Sequence, residues 1–246
     1  MHRMHRLAAF AGLTALSLAV PASRATAALL RPADTREYPD ISAFANGSQT
    51  YTYNAANQTG VFQLSNVPFL LTNGLATDGA FRESGVAKTD DGVRLESITA
   101  VLDGNGKLVK SPQNSFQIVG KVTIDGQTFS GVLLSGTPTA FGSQTLKPSV
   151  GNEDLFDLRL KVTGGTMASL YGPDAYVRVT SEANSTFDGV FTADFSSEKV
   201  LTTTHALAST LPASAPEPTA LVVLLACGAG FVYRGRRRIA ARDLVA

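Results

Sequence analysis

The strongest constraint on the fold of this chain is the alternation of side chains along residues 156–162. Apolar residues there alternate one for one with the charged residues Asp157, Arg159 and Lys161. Because successive side chains of a β-strand point to opposite faces, the segment predicts a strand with one apolar and one charged face. A strand buried on both faces would not carry three charges on one of them. We therefore expect an antiparallel sheet with one face in water.

A second segment, residues 116–134, predicts a β-hairpin. Its apolar residues alternate up to Asp125-Gly126, a dipeptide that favours a two-residue type I′ turn with positive φ at both positions. A turn of that length fixes the register of the two strands. The pairs that it predicts are Val122 with Phe129, Gly120 with Gly131, and Ile118 with Leu133.

Residues 93–109 predict another hairpin, in which an Asn105-Gly106 turn pairs Leu102 with Val109. Gly-containing turn signals recur along the chain, and no segment of the body shows a sustained helical apolar stripe. The pattern predicts an all-β fold, either an antiparallel β-sandwich or a barrel-like single domain. Further short strands are expected at 50–54, 60–64, 67–72, 175–180 and 186–195.

The distribution of charge argues against a nucleic-acid partner. The formal net charge is +1, but residues 28–211 hold 13 Lys+Arg and 18 Asp+Glu, a net of −5. A nucleic-acid-binding domain needs a basic face. The chain has one Cys and three His, of which only His205 lies outside the N-terminal leader. A Cys/His zinc site and a disulfide framework are therefore excluded.

The N-terminus has the three parts of a secretory signal peptide. Arg3 and Arg6 precede an uncharged apolar run at 7–20, and Ala25 and Ala27 form a small-x-small cleavage site. The apolar run is short for a membrane span, which needs about 20 residues. We expect cleavage after Ala27 and export of the rest of the chain, with an uncleaved N-terminal anchor as the alternative.

The C-terminus carries a second membrane-directed pattern. Pro216, Glu217 and Pro218 precede an uncharged apolar run at 219–233. Four arginines follow this run: Arg234, Arg236, Arg237 and Arg238. A helix over the run would span about 22 Å, a marginal length for a bilayer core of ~30 Å. By the positive-inside tendency the arginines orient it with the body outside the cytoplasm, so both ends predict the same topology.

This order of elements resembles the PEP-CTERM sorting signal of Gram-negative bacteria. The resemblance rests on the Pro-Glu-Pro element at 216–218, the apolar run at 219–233 and the arginine cluster. It implies an inner-membrane intermediate, recognition near Pro-Glu-Pro by an exosortase-type sorting enzyme, and delivery to a cell surface or matrix rich in exopolysaccharide. It implies sorting rather than an activity of the body. The residues at 239–246 depart from many members, which end at their arginine cluster.

The organisation expected from these patterns has one folded domain between two targeting segments. No internal repeat or shift in composition divides residues 40–195, and a domain of this size can bury an adequate core without disulfides. The expected parts are a signal peptide at 1–27, a β-rich extracytoplasmic domain at 28–198, a linker or stalk at 199–215, the sorting signal at 216–238 and a short cytoplasmic tail at 239–246.

Paired carboxylates are the catalytic apparatus that this composition allows, and a glycosidase needs two of them roughly 5–10 Å apart. The candidates are Asp90 with Asp91, and Glu153 with Asp154 and Asp157. A turn explains the first pair, and a solvated loop with an outward strand position explains the second group. The chain also has no Trp on which a sugar could stack. We therefore expect a protein that is not an enzyme.

No cofactor is expected, although calcium is a weaker candidate because hard cations take several oxygen ligands from loops. Asp103 with Asn105 and the loop Asn152-Glu153-Asp154 offer such oxygens, but neither completes an EF-hand. One aromatic group is predicted to pack in the core: Phe187, Phe191, Phe195, Tyr171 and Tyr176.

The sequence therefore predicts an exported protein of the cell surface or extracellular matrix, with a structural or adhesive role in an exopolysaccharide or biofilm matrix. Its expected partners are the sorting enzyme, the membrane through residues 219–233, and exopolysaccharide. Two alternatives stay open. A carbohydrate-binding module would suit the β-rich body and the matrix setting, and a secreted hydrolase would act through the paired carboxylates.

Overall fold

A computed structural model of the chain describes residues 28–30, 35–73, 82–145, 153–181 and 184–207. The described residues are almost entirely β-structure, which confirms the all-β prediction. Within these ranges no helix has the length and apolar character that crossing a bilayer requires. The elements are β1 (Thr35–Asn54), β2 (Thr59–Asn66), β3 (Pro68–Asn73), β4 (Arg82–Gly85), β5 (Leu95–Asp103), β6 (Ser115–Ile124), β7 (Gln127–Thr145), β8 (Asp154–Gly164), α1 (Ala168–Tyr171), β9 (Asp174–Ser181) and β10 (Phe195–Leu207).

Eight of these strands close into an antiparallel barrel. The order of neighbours is β1, β2, β5, β6, β7, β8, β9 and β10, and β10 pairs back with β1. The long strand β1 closes the barrel along one edge. Its other edge pairs first with β3, at residues 40–43, and then with β2, at residues 48–54. Strands β3 and β4 therefore extend the sheet beside the barrel.

The hairpin at Asp125-Gly126 forms as predicted at its turn. The φ angles of these residues are 52° and 77°, which is the positive pair that a type I′ turn needs. A bulge then shifts the register, so that Ile118 pairs with Leu134 and not with Leu133. Gly131, at φ 88°, supplies the backbone freedom next to that shift. The two predicted pairs nearest the turn are confirmed: Val122 with Phe129 and Gly120 with Gly131.

The second hairpin turns differently from the prediction. Leu102 bridges to Leu108 rather than to Val109. The amide of Asp103 donates to the carbonyl of Lys107 at 2.9 Å, which leaves a three-residue loop. Of the two turn residues only Gly106 has a positive φ, 78°. A three-residue loop with glycine in the left-handed position is the next most common hairpin connection after the two-residue turn.

The C-terminal part of the body also differs from the prediction. Residues 184–194 form turns and bends rather than the strand expected at 186–195, and β10 begins only at Phe195. Strand β10 then continues to Leu207 and pairs with both β9 and β1. Residues 199–207, which the sequence assigned to a stalk, are therefore part of the barrel.

The barrel interior is filled by side chains. On β8 the predicted inward residues Phe156, Leu158 and Leu160 are all buried. Gly120 leaves space that Val86 occupies, since a Cβ at Gly120 would lie 2.6 Å from Cγ1 of Val86. Rings from several strands and from the segment 184–194 pack together in the core: Tyr51, Phe62, Phe141, Phe156, Phe187, Phe191 and Phe195.

The outer face of β8 is not wet along its whole length, which corrects the prediction for Asp157. This residue is 0% exposed. Gly142 is its partner on β7, and a Cβ at Gly142 would lie 2.4 Å from the carbonyl oxygen of Ala28. The segment 28–30 therefore crosses the outside of the barrel beside Asp157. Alternation alone could not reveal this cover, because it comes from a distant part of the chain.

Candidate functional site

The residues predicted to direct export and sorting lie outside the described part of the chain. This holds for the cleavage site at Ala25 and Ala27 and for the Pro-Glu-Pro element at Pro216, Glu217 and Pro218. It also holds for the apolar run at 219–233 and its arginines: Arg234, Arg236, Arg237 and Arg238. Their roles remain predictions from the sequence.

Asp90 and Asp91 lie in a surface turn that begins at Thr89. The amide of Gly92 donates to the carbonyl of Thr89 at 2.9 Å, and the Thr89 hydroxyl donates to the Asp91 carboxylate. Asp90 accepts a hydrogen bond of 2.8 Å from the ammonium group of Lys121. Both carboxylates thus have local structural partners, as the sequence suggested for a turn.

The second group of carboxylates does not converge. Asp154 and Asp157 stand three positions apart on β8, which separates their Cα atoms by about 10 Å and sends the side chains to opposite faces. Asp154 is 3% exposed, and burial raises the pKa of its carboxyl group. Asp157 instead accepts two hydrogen bonds from Arg178. Glu153, just before the strand, is half-buried.

Among the candidate calcium ligands, the carboxylate of Asp103 is engaged by the backbone. Oδ1 of Asp103 accepts hydrogen bonds from the amides of Asn105 and Lys107, each at 2.9 Å. Asn152 lies outside the described residues. Across the described ranges, no group of three or more His, Cys, Asp or Glu side chains is placed to hold a metal ion.

Four of the five residues in the predicted aromatic group belong to the buried core cluster, and Tyr176 does not. Phe187, Phe191 and Phe195 pack in the core, with ring centroids 4.7–5.8 Å apart, as expected. Tyr171 is also buried, and its hydroxyl lies 3.4 Å from the carbonyl oxygen of Thr204. Tyr176 points outward on β9 and contacts Arg178.

The structure contains a buried polar cluster centred on Glu96, which the sequence analysis did not predict. This residue is 0% exposed and lies inside the barrel. It accepts hydrogen bonds from the hydroxyls of Thr202 and Thr204, across the interior on β10. The side-chain amide of Asn66 donates to the hydroxyl of Thr202 at 3.3 Å and to the carbonyl of Val200 at 2.9 Å. A sequence signal did exist, because Glu96 occurs in phase with apolar residues of β5 that face inward.

Burial raises the pKa of Glu96 to about 7. The two threonine hydroxyls lower it, but the negative charge of Asp40 raises it further. Burial likewise raises the pKa of Tyr171, and the carboxyl groups of Asp40 and Glu96 act in the same direction. The interior therefore favours the neutral form of both groups. The Glu96 side chain is 0% exposed, which argues for a structural role.

A second polar series runs over the outer face of four strands. Arg178 binds both carboxylate oxygens of Asp157, at 3.0 and 3.2 Å, and donates to the hydroxyl of Tyr176 at 2.7 Å. The ring of His205 stacks on Tyr176 at 6.3 Å. Nδ1 of His205 lies 3.8 Å from Oδ1 of Asp40. The series joins β8, β9, β10 and β1, so it reinforces the strands at which the barrel closes.

A surface cleft of about 210 Å³ is lined by Phe44, Val67, Phe69 and Arg94. Phe44 comes from β1 and Phe69 from β3. Their ring centroids are 5.8 Å apart with planes at 65°. These rings are 48% and 54% exposed. We call this place the Phe44–Phe69 cleft and take it as the candidate functional site.

Arg94 forms the polar wall of the Phe44–Phe69 cleft. One terminal nitrogen of its guanidinium donates to the carbonyl of Val86 at 2.9 Å, and this bond fixes the side chain. Nε is buried and has no hydrogen-bond partner. Among the described residues, no carboxylate forms an ion pair with Arg94. The guanidinium is a cation, so the cleft combines two apolar ring faces with a cation that no described carboxylate compensates.

The exposed large apolar side chains of the described residues are concentrated at this cleft. The large hydrophobic residues that are exposed in the described ranges are Phe44, Phe69 and Val93. Two of them line the cleft and the third precedes Arg94 in sequence. Exposed apolar residues that are scattered singly are normal, whereas a concentration of them indicates a contact surface. The uninterrupted apolar run at 67–71 was the available sequence signal, since a strand with one wet face would have alternated.

Comparisons of this chain with protein-family models, with curated proteins and with solved structures found no match.

Proposed function

We propose that this chain is an exported, non-catalytic protein that has a structural or adhesive role in an extracellular matrix. Export follows from the signal-peptide pattern, and delivery follows from the resemblance of residues 216–238 to a PEP-CTERM sorting signal. The sorting enzyme reads the element around Glu217, while the arginines that follow the apolar run hold the tail in the inner membrane.

The observation that carries the adhesive role is the concentration of exposed apolar side chains at the Phe44–Phe69 cleft. A rigid barrel that presents such a place suits recognition of a partner at its surface. Three of the five carboxylates considered for hydrolysis support the same choice, because Asp90, Asp91 and Asp157 are held by side-chain partners. A role in binding is therefore favoured over a role in catalysis.

The first test is the intact mass and location of the protein in its native host. We expect a surface or culture-medium form that begins near Ala28 and ends near Pro218. Glu217→Ala should abolish this form, so that a longer chain stays in the inner membrane. Glu198→Ala is the matched control, because Glu198 is an exposed glutamate on β10, and this variant should be processed normally.

Two results would contradict the proposal. Normal release of the Glu217→Ala variant would show that the Pro-Glu-Pro element is not read. A wild-type chain that keeps residues 219–246 in the inner membrane would make the protein an anchored one and remove the route to the matrix.

A further inference from the structure

We propose that the Phe44–Phe69 cleft binds one acidic sugar unit of a matrix polysaccharide, with Arg94 pairing with its carboxylate. This inference names the ligand class for the proposed adhesive role and so rests on that proposal.

The two phenylalanine rings provide the apolar part of the site. Each is about half exposed, and the planes meet at 65°, so one ring can stack on a ligand while the other contacts its edge. A pyranose ring has a face of C–H groups that packs on an aromatic face, whose π-system is negative. Phenylalanine carries no polar handle, so the polar contacts must come from another residue. Arg94 is the residue placed to make them.

Arg94 selects for an anion. Its contact with Val86 is to a neutral carbonyl at 2.9 Å, which orients the guanidinium without neutralising it. The described residues place no carboxylate against it. A guanidinium presents a planar fork of donors that matches a carboxylate, and charge-assisted bonds of this kind are the stronger ones. A uronic acid offers both the apolar ring face and the carboxylate.

The size of the cleft limits the ligand to a single unit. Pockets for drug-sized molecules measure about 300–1,000 Å³, whereas this cleft measures about 210 Å³. One sugar ring is held while the rest of the polymer continues into solvent. A single contact of this kind is weak, and many copies along one polymer would give stable adhesion through avidity.

The net negative charge of the body argues against general polyanion binding. Residues 28–211 carry a net charge of −5, so the barrel as a whole repels an acidic polymer. Attraction must then come from a local cation, and the loss of Arg94 should have a large effect. An exposed arginine elsewhere should have almost none. Arg82 on β4 is such an arginine, and it pairs with Asp125.

The test measures retention of the purified full-length chain, in mild detergent, on immobilised polygalacturonate, dextran and poly-glutamate. We expect retention on polygalacturonate alone, with competition by free glucuronate. Arg94→Gln and Phe69→Ala should each weaken retention about tenfold or more, and Arg82→Gln should retain the wild-type value. Thermal unfolding by circular dichroism checks that each variant is folded. Because Phe69 is exposed, its variant stays informative if Arg94→Gln does not fold.

Three outcomes would overturn the proposal. The first is no retention of the wild type on polygalacturonate, and the second is retention that the Arg94 and Phe69 variants keep in full. The third is equal binding to poly-glutamate, which would assign the cleft to acidic peptides. The assay uses purified protein, so it does not depend on sorting. A chain that binds uronate but stays in the inner membrane would refute the proposed route and leave the site assignment standing.

Discussion

Replacing Glu96 by glutamine should stabilise the protein at pH 8 and change its stability little at pH 5. The wild-type carboxyl group is fully buried between Thr202 and Thr204, where ionisation is unfavourable. Glutamine has nearly the same shape and can still accept a hydrogen bond, but it never ionises. The substitution therefore removes a charge while keeping the packing of the barrel interior.

The expected size follows from the two pKa values of the carboxyl group. The pKa of Glu96 is about 7 in the folded protein, against 4.5 as its ordinary value. Below pH 4.5 both states hold the proton, and no penalty exists. As the pH rises, the unfolded chain releases the proton first, so stability falls until the pH passes the folded value. The full penalty above pH 7 is about 3 kcal/mol.

The assay is denaturant unfolding of the purified full-length chain, followed by circular dichroism between pH 4.5 and 8. The wild type should lose about 3 kcal/mol across this range, and the Glu96→Gln variant should lose much less. Asp40 remains in both proteins and adds a slope of the same sign, because burial raises its pKa against the opposing effect of His205. Glu83→Gln, at an exposed glutamate on β4, should keep the wild-type slope.

Parallel pH profiles for the wild type and the Glu96→Gln variant would refute this reasoning, since they would show that Glu96 ionises without cost. A variant that is less stable than the wild type at pH 8, where the carboxyl group is ionised, would also refute it. That result would mean that the ionised carboxylate is a net stabilising partner of Thr202 and Thr204.

Three further substitutions test two outer ion pairs and a turn. Arg178→Ala should lower the free energy of unfolding in urea by about 3–5 kcal/mol, because it leaves Asp157 buried without its partner. Arg159→Ala removes the longer and more exposed pair with Asp174 and should lower it by at most about 1 kcal/mol. If both substitutions lowered the free energy of unfolding equally, the burial of Asp157 would not be the cause of the loss. Gly106→Ala should lower the melting temperature, because a Cβ there would lie 2.4 Å from the ring of Phe191 at a φ of 78°; an unchanged melting temperature would show that the ring can move.

The local patterns of the sequence predicted the parts of the fold that depend on near neighbours. Asp125-Gly126 forms the expected turn because the positive φ angles are a property of those two residues. The alternation at 156–162 predicted the inward face of β8 for the same reason, since side-chain direction in a strand has a period of two. These features need no knowledge of the rest of the chain.

The sequence predictions were wrong or incomplete for features that depend on residues far apart in the chain. The register of Ile118 changes at a bulge beside Gly131, and a single glycine in a strand does not say how the partner strand will shift. Asp157 was placed in water because its own strand alternates, but segment 28–30 and Arg178 remove it from solvent. The Phe44–Phe69 cleft likewise needs side chains from residues widely separated in the chain.

Closure of the barrel explains why the C-terminal part was hardest to predict. Residues 199–207 are rich in threonine and looked like a stalk, yet their backbone pairs with β9 on one side and with the first strand on the other. The inward hydroxyls of Thr202 and Thr204 are polar because they face Glu96 across the interior. Burial of the carboxyl group or of the hydroxyl groups alone would be unfavourable, and their hydrogen bonds to each other make both burials favourable. The side-chain pattern of one strand does not reveal a partner that is more than a hundred residues away in sequence and comes close only when the barrel closes.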